Sequence, residues 1–191
     1  MARTAVEAQQ LLTCAQQAGR KLFVGCVLRF SESLGVFRER VSEIGTIHAV
    51  RIECQSYLPD WRPTRAYRQS YSARADEGGV LRDLIHEIDY AGWLYGWPEA
   101  VQASVRNLGR LGIGADEAAE TLWETPEGCT LSVSLDYLTR PHRRHMRASG
   151  ELGTLEWDGI DGSVRLSLAG EAVQVIRSSQ SRDEMFAAQA K

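Results

Sequence analysis

The residues best placed to do chemistry lie in one short run, Gly78-Gly79-Val80-Leu81-Arg82-Asp83-Leu84-Ile85-His86-Glu87-Ile88-Asp89-Tyr90. An imidazole titrates near neutrality and suits proton transfer. A carboxylate three residues before it on a helix can meet the same ligand. There it can orient the ring, favour its charged form or hold a substrate hydroxyl. Asp83 also has a plain structural role open to it, because a carboxylate near a helix N-terminus complements the helix dipole. The paired glycines let a ligand or another stretch of chain approach the first helical turn closely. Asp83 and His86 are the candidate catalytic pair.

Other clusters carry less. Gly109-Arg110-Leu111-Gly112-Ile113-Gly114 has its glycines in the wrong order for a dinucleotide fingerprint and reads as a flexible loop. His142 and His145 fall three apart on an expected strand, so they should point to opposite faces and share no metal. The arginines around them (140, 143, 144 and 147) read as a solvated or subunit-facing patch that could also meet a carboxylate or phosphate. Cys14, Cys26, Cys54 and Cys129 form no close pair and read as small, reduced core residues. No metal site is expected, and no GxSxG, P-loop or HExxH motif occurs.

The elements that must position Asp83 and His86 follow from periodicity. Ala- and Gln-rich residues 4–18 predict a helix stopped by Gly19. The apolar run 22–28 predicts a strand buried on both faces, with Arg29 at its C-terminal end, where α/β proteins place ligand contacts. Ser31 or Ser33 should cap a second helix ending at Gly45. From Ile47, Val50, Ile52 and Cys54 alternate with Arg51, Glu53 and Gln55 as in a half-buried strand. Residues 58–78, with Trp61, Tyr67, Tyr71 and four arginines, form a long connection, either an ordered working loop or a mobile surface one. Residues 80–95 predict one continuous helix stopped by Gly96 and Pro98. Strands are expected at 99–108, 116–125, 129–137, 144–150, 153–158, 163–168 and 171–177, then a helix at 181–190. Cys129, Leu131, Val133, Leu135 and Tyr137 alternate with Thr130, Ser132, Ser134 and Asp136, which gives that strand one core face and one polar face.

The 191 residues are 43% hydrophobic, 25% charged and 8% aromatic, the profile of a globular chain able to bury a core. Lys and Arg number 22 against 25 Asp and Glu, a net charge of −3 that argues against a nucleic-acid partner. No apolar run reaches the roughly 20 residues that span a bilayer. The polar N-terminus lacks the core of a signal peptide, so a cytoplasmic location is expected.

The run 78–90 followed by Trp93-Leu94-Tyr95-Gly96 resembles the GGG-x-L-x-D-x-x-H-x-x-D…W-L-x-G signature of the glucose–fructose oxidoreductase / inositol dehydrogenase / rhizopine-catabolism (Gfo/Idh/MocA) family of NAD(P)-dependent oxidoreductases. Residues 21–30 resemble the last strand of that family's nucleotide-binding domain. Ile44-Gly45-Thr46-Ile47 resembles its entry to the sheet domain. Leu58-Pro59-Asp60-Trp61-Arg62-Pro63, with Tyr67-Arg68 and Tyr71-Ser72, resembles a loop of a sugar-modifying branch. Two departures stand out: Glu77 replaces the first glycine of the triplet, and neither the Glu-Lys-Pro motif nor a GxGxxG occurs.

The resemblance implies an α+β fold: a large, mostly antiparallel sheet with helices on one face, preceded by a helix–strand remnant of a Rossmann domain. On that view 1–30 is the remnant and 31–191 is the substrate and oligomerisation domain. It implies His86 as acid/base and Asp83 as the residue that orients it or the substrate, with Arg29, Trp61, Arg62, Tyr67 and Arg68 as substrate contacts. It implies NAD or NADP as cofactor, a sugar, polyol or nucleotide sugar as substrate, and a homo-oligomer formed through the open sheet face. The chain alone is expected to lack most of the cofactor site. The alternative is a non-catalytic sheet domain that dimerises or binds a sugar.

Overall fold

A computed structural model describes residue 2 and residues 4–191. Helix α1 (Ala5–Gln17) leads, capped by the Thr4 hydroxyl, and buries none of its residues. Helix α2 (Glu32–Arg40) takes Ser31 as its N-cap and runs through a 3₁₀ turn to Gly45. Strand β1 (Ile47–Gln55) follows. After a long connection come α3 (Val80–Asp83) and α4 (Ile85–Tyr95). The rest is strand: β2 (Gln102–Arg106), β3 (Ala118–Glu124), β4 (Thr130–Asp136), β5 (Arg143–Gly150), β6 (Gly153–Asp158), β7 (Ser163–Leu168) and β8 (Gln174–Arg177), then helix α5 (Arg182–Gln189).

The eight strands form one sheet in the order β2-β3-β4-β1-β5-β6-β7-β8. Only β1 and β4 run parallel, and every other pair is antiparallel. The alternation read from the sequence sets the two faces. Val50, Ile52, Leu131, Val133, Leu135, Met146, Ala148, Leu155 and Trp157 are buried and share one cluster with Leu34 and Phe37 of α2 and Tyr90 and Ala91 of α4. Helices thus cover one face of an α+β fold. The other face carries Arg51, Glu53, His145, Arg147, Glu156 and Arg165 in register across the strands.

Three expectations need correction. The apolar run 22–28 does not form a strand: among the described residues nothing pairs with it, and Phe23 is 66% exposed. A doubly buried strand requires neighbours on each edge, and the sheet of this chain offers none there. Residues 27–30 turn into a 3₁₀ segment instead. Cys14 is exposed rather than core, although Cys54 and Cys129 are buried as expected. The loop 107–114 is wound around a buried carboxylate. Glu117 accepts from the backbone N–H groups of Leu108, Arg110 and Leu111 at 3.0, 3.0 and 2.7 Å, and Leu111 is buried.

Candidate functional site

The predicted helix 80–95 is broken at Leu84, whose φ and ψ of −100° and 30° leave the helical region. Asp83 therefore ends one helix and His86 opens the next, so simple helical spacing does not set their relation. The Gly-Gly step serves the chain's own packing. Gly79 has φ +105°, and a Cβ there would lie 2.1 Å from Asp116 Oδ1. A Cβ on Gly78 would meet the backbone of Tyr71 and Ser72. Asp116 Oδ2 accepts from the Leu81 N–H, which fixes the start of α3.

Asp83 and His86 both line a cleft of about 740 Å³ at the C-terminal end of β1, beside Cys54, Ser56, Trp61, His142, Arg144 and Trp157. Tyr137, just past β4, donates its hydroxyl to Asp83 Oδ2 at 2.7 Å. Burial, and then that bond, push the Tyr137 phenol well above its ordinary range, so it stays a donor. Trp61 packs edge-on against Tyr137 at 5.4 Å and anchors its indole N–H on Ser56 Oγ. Asp83 is thus placed by a stack reaching from the loop through β4.

The His86 pKa lies below its ordinary value, chiefly through burial and further through the Arg144 charge, against the opposing pull of Glu87 and Asp89. Its Nδ1 is buried without a hydrogen-bond partner. A neutral imidazole at the edge of a cleft is in the state required to accept a proton. Beneath it, fully buried Glu87 accepts from Arg144 Nε at 2.7 Å. Burial, reinforced by the Glu87 charge, pushes the Cys54 thiol up to about 12, which leaves it inert.

The remaining predicted contacts disperse. Arg29 forms a two-pronged ion pair with Asp89 at 2.9 and 2.7 Å, 5.8 Å over the Trp93 ring and outside the cleft lining. Arg62 and Tyr67 line a separate pocket of about 560 Å³, which touches the first only through Trp61. The Tyr67 hydroxyl and Arg68 Nε both donate to the Leu111 carbonyl at 3.0 Å, so these groups lock two loops together. His142 and His145 do point apart: His142 borders the cleft and His145 faces Glu156 across the open side. The arginine patch resolves into pairs, Arg140 with Asp60, Arg143 with Glu53, Arg144 with Glu87 and Arg147 with Glu156. Glu87 and Tyr137 were given no role from the sequence, and Arg144 was read only as one member of a basic patch. The one available signal was an arginine at a core-facing position of a strand.

Among the described residues no three His, Cys, Asp or Glu side chains gather as a metal site would require. None of the described helices is long and apolar enough to cross a membrane.

The model for the GFO/IDH/MocA C-terminal domain matches residues 38–156, more than half of the chain. The chain belongs to the GFO/IDH/MocA family. No curated protein sequence matches it. Among solved structures it is similar to an inositol dehydrogenase homolog from Azotobacter vinelandii complexed with NAD+, at 18% identity and a TM-score of 0.78, over 94% of this chain and 49% of that one. It is equally similar to a levoglucosan dehydrogenase in complex with NADH and L-sorbose, at 18% identity and a TM-score of 0.78, over 93% and 52%. A third is an oxidoreductase from Agrobacterium radiobacter in complex with NAD+, L-tartaric acid and magnesium, at 18% identity and a TM-score of 0.77, over 99% and 57%. At these identities the likeness establishes the fold, and the chain spans about half the length of these structures.

Proposed function

We propose that this chain is the substrate-binding and oligomerisation portion of an NAD(P)-dependent oxidoreductase acting on a hydroxyl of a sugar, polyol or nucleotide sugar. The observation that carries the reading is the joint placement of Asp83 and His86 on one cleft, with Asp83 held by Tyr137. Family membership and neighbours bound to NAD+, NADH or a sugar support the reaction class. In this reading His86 takes the proton from the reacting hydroxyl, and Asp83 accepts a hydrogen bond from the same or the adjoining hydroxyl. Trp61 supplies an apolar wall for a ring face.

Among the described residues no glycine-rich turn joins a parallel strand to a helix, so no contact is assigned to the dinucleotide and no step is derived through it. Residues 1–30 form the end of a nucleotide-binding unit and 31–191 the sheet domain. The open sheet face, polar and uncovered by helices, is the surface for a second copy, and its rows of arginine and glutamate side chains supply both signs of charge for that contact.

Titrating myo-inositol and levoglucosan into the chain, with side-chain NMR of His86 and Trp61 as readout, tests the reading. Both signals are expected to move together, while NAD+ produces no measurable binding to the chain alone. Tight NAD+ binding by these 191 residues overturns the division of labour. In a polypeptide joining this chain to a cofactor domain, His86→Ala should lower turnover by roughly 10²- to 10⁴-fold. Unchanged turnover removes His86 from the reaction. A chain that binds polyols without ever turning them over is the non-catalytic alternative.

A further inference from the structure

A polar cluster lies behind His86, and neither the proton transfer nor the Asp83 contact uses it. Glu87 on α4 is fully buried, and its Oε1 accepts from Arg144 Nε at 2.7 Å. Its Oε2, the fully buried Tyr90 hydroxyl and His86 Nδ1 have no hydrogen-bond partner. Arg144 sits at the start of β5, opposite Cys54 of β1, on the helix-covered side of the sheet. Its stem is confined by the following turn. A Cβ on Gly159 would fall 2.7 Å from both Arg144 Cγ and Arg144 Cδ, and the Gly159 N–H donates to the Arg144 carbonyl at 2.9 Å. The Arg144 side chain nevertheless keeps 24% exposure, and it borders the cleft that Asp83 and His86 line.

A guanidinium has five N–H donors in a rigid plane, and the bond to Glu87 uses one edge position. The plane is therefore fixed from behind, and Arg144 borders the cleft with N–H groups beyond the one that Glu87 takes. We propose that Arg144, oriented by Glu87, is the hydroxyl-binding fork of this cleft and selects an uncharged polyol or aldose over the corresponding sugar acid. This rests on the reading of the cleft as a sugar site.

The selection follows from charge. Glu87 neutralises Arg144, and the remaining ionic lining sets Asp83 and Asp161 against Arg182 alone. Arg182 lies beside the Phe186 ring on α5, 5.5 Å from its centroid. A carboxylate on the ligand would enter a cleft already short of positive charge. Paired hydroxyls can accept from the fork and donate to Asp83 without adding charge.

The test uses the whole 191-residue chain at neutral pH and matched ionic strength. The probes are myo-inositol, D-glucose and D-glucuronate, and the readouts are the NMR signals of Arg144 Nε–H and His86. Inositol or glucose is expected to move both signals with one midpoint, and glucuronate should bind at least roughly tenfold more weakly. Arg144→Lys keeps the charge and loses the fork, and should weaken polyol binding roughly ten- to a hundredfold. Glu87→Met combined with Arg144→Met removes both charges without leaving a buried orphan, so it guards against simple misfolding. Near-UV circular dichroism should show that it is folded, and its polyol affinity should fall likewise. Wild-type polyol binding with an unchanged midpoint in the folded Arg144 variants overturns this inference and leaves the sugar-site reading standing. Tighter binding of glucuronate overturns the selection. A His86 signal unmoved by every polyol overturns both.

Discussion

Replacing Gly79 by alanine should destabilise the chain through two separable effects. The first is backbone strain. Gly79 sits at φ +105° and ψ 153°, a region that only glycine occupies freely, and forcing a Cβ into it costs about 1–3 kcal/mol. The second is a collision with Asp116, whose Oδ1 would lie 2.1 Å from the new Cβ. That carboxylate holds the Leu81 N–H at 3.1 Å and is the side-chain partner of the first turn of α3. Displacing it loses a helix-cap interaction, typically about 1 kcal/mol. Gly79→Ala alone should therefore cost about 2–4 kcal/mol. In an Asp116→Ala background the cap and the collision are already gone, so only the strain remains and the cost should fall by about 1 kcal/mol. Urea unfolding of the four proteins in the cycle, followed by far-UV circular dichroism with the denaturant slopes compared, measures both numbers. A Gly79→Ala cost below about 1 kcal/mol, or the same cost in both backgrounds, refutes the close-approach argument. The Gly-Gly step would then belong to a ligand.

Tyr137→Phe keeps the ring beside Trp61 and removes the donor to Asp83. It should cost about 1–2 kcal/mol in urea unfolding and weaken polyol binding, and an unchanged affinity would detach Tyr137 from the site. Glu117→Gln should cost about 1–3 kcal/mol and speed amide hydrogen exchange at Leu108, Arg110 and Leu111 before other positions, because an amide cannot accept all three bonds as a carboxylate does. Burial lowers the pKa of both His86 and His145, so the unfolded chain binds protons that the folded one refuses. Stability should therefore be complete above the ordinary histidine value of 6.5 and fall as pH drops through it, well before the carboxylates titrate. Thermal unfolding across that window checks this, and a flat profile would contradict the partial burial of these imidazoles.

Local periodicity alone was enough to place most of the elements. Alternation along 129–137 and around Val50, Ile52 and Cys54 specified which side chains enter the core, because a one-residue slip would send every one of them to the polar face. The short strands after residue 140 and the closing helix were legible for the same reason: each is encoded within a dozen residues. Pairing across the fold was decided only in three dimensions. The break at Leu84 arises where α3 is tied to Asp116 and α4 packs on the sheet, and no local breaker residue marks it. Glu87 meets Arg144 across 57 positions because the β1–β5 register sets Arg144 opposite Cys54 beneath α4. The family resemblance implied Tyr67 and Arg68 as substrate contacts, and in the fold both donate to the carbonyl of Leu111, 44 and 43 residues away. The run 22–28 has strand composition and no strand partner, because a strand is completed by hydrogen bonds from its neighbours and not by its own side chains. The sequence determined which residues can bury. Strand register and helix packing determined which of them meet.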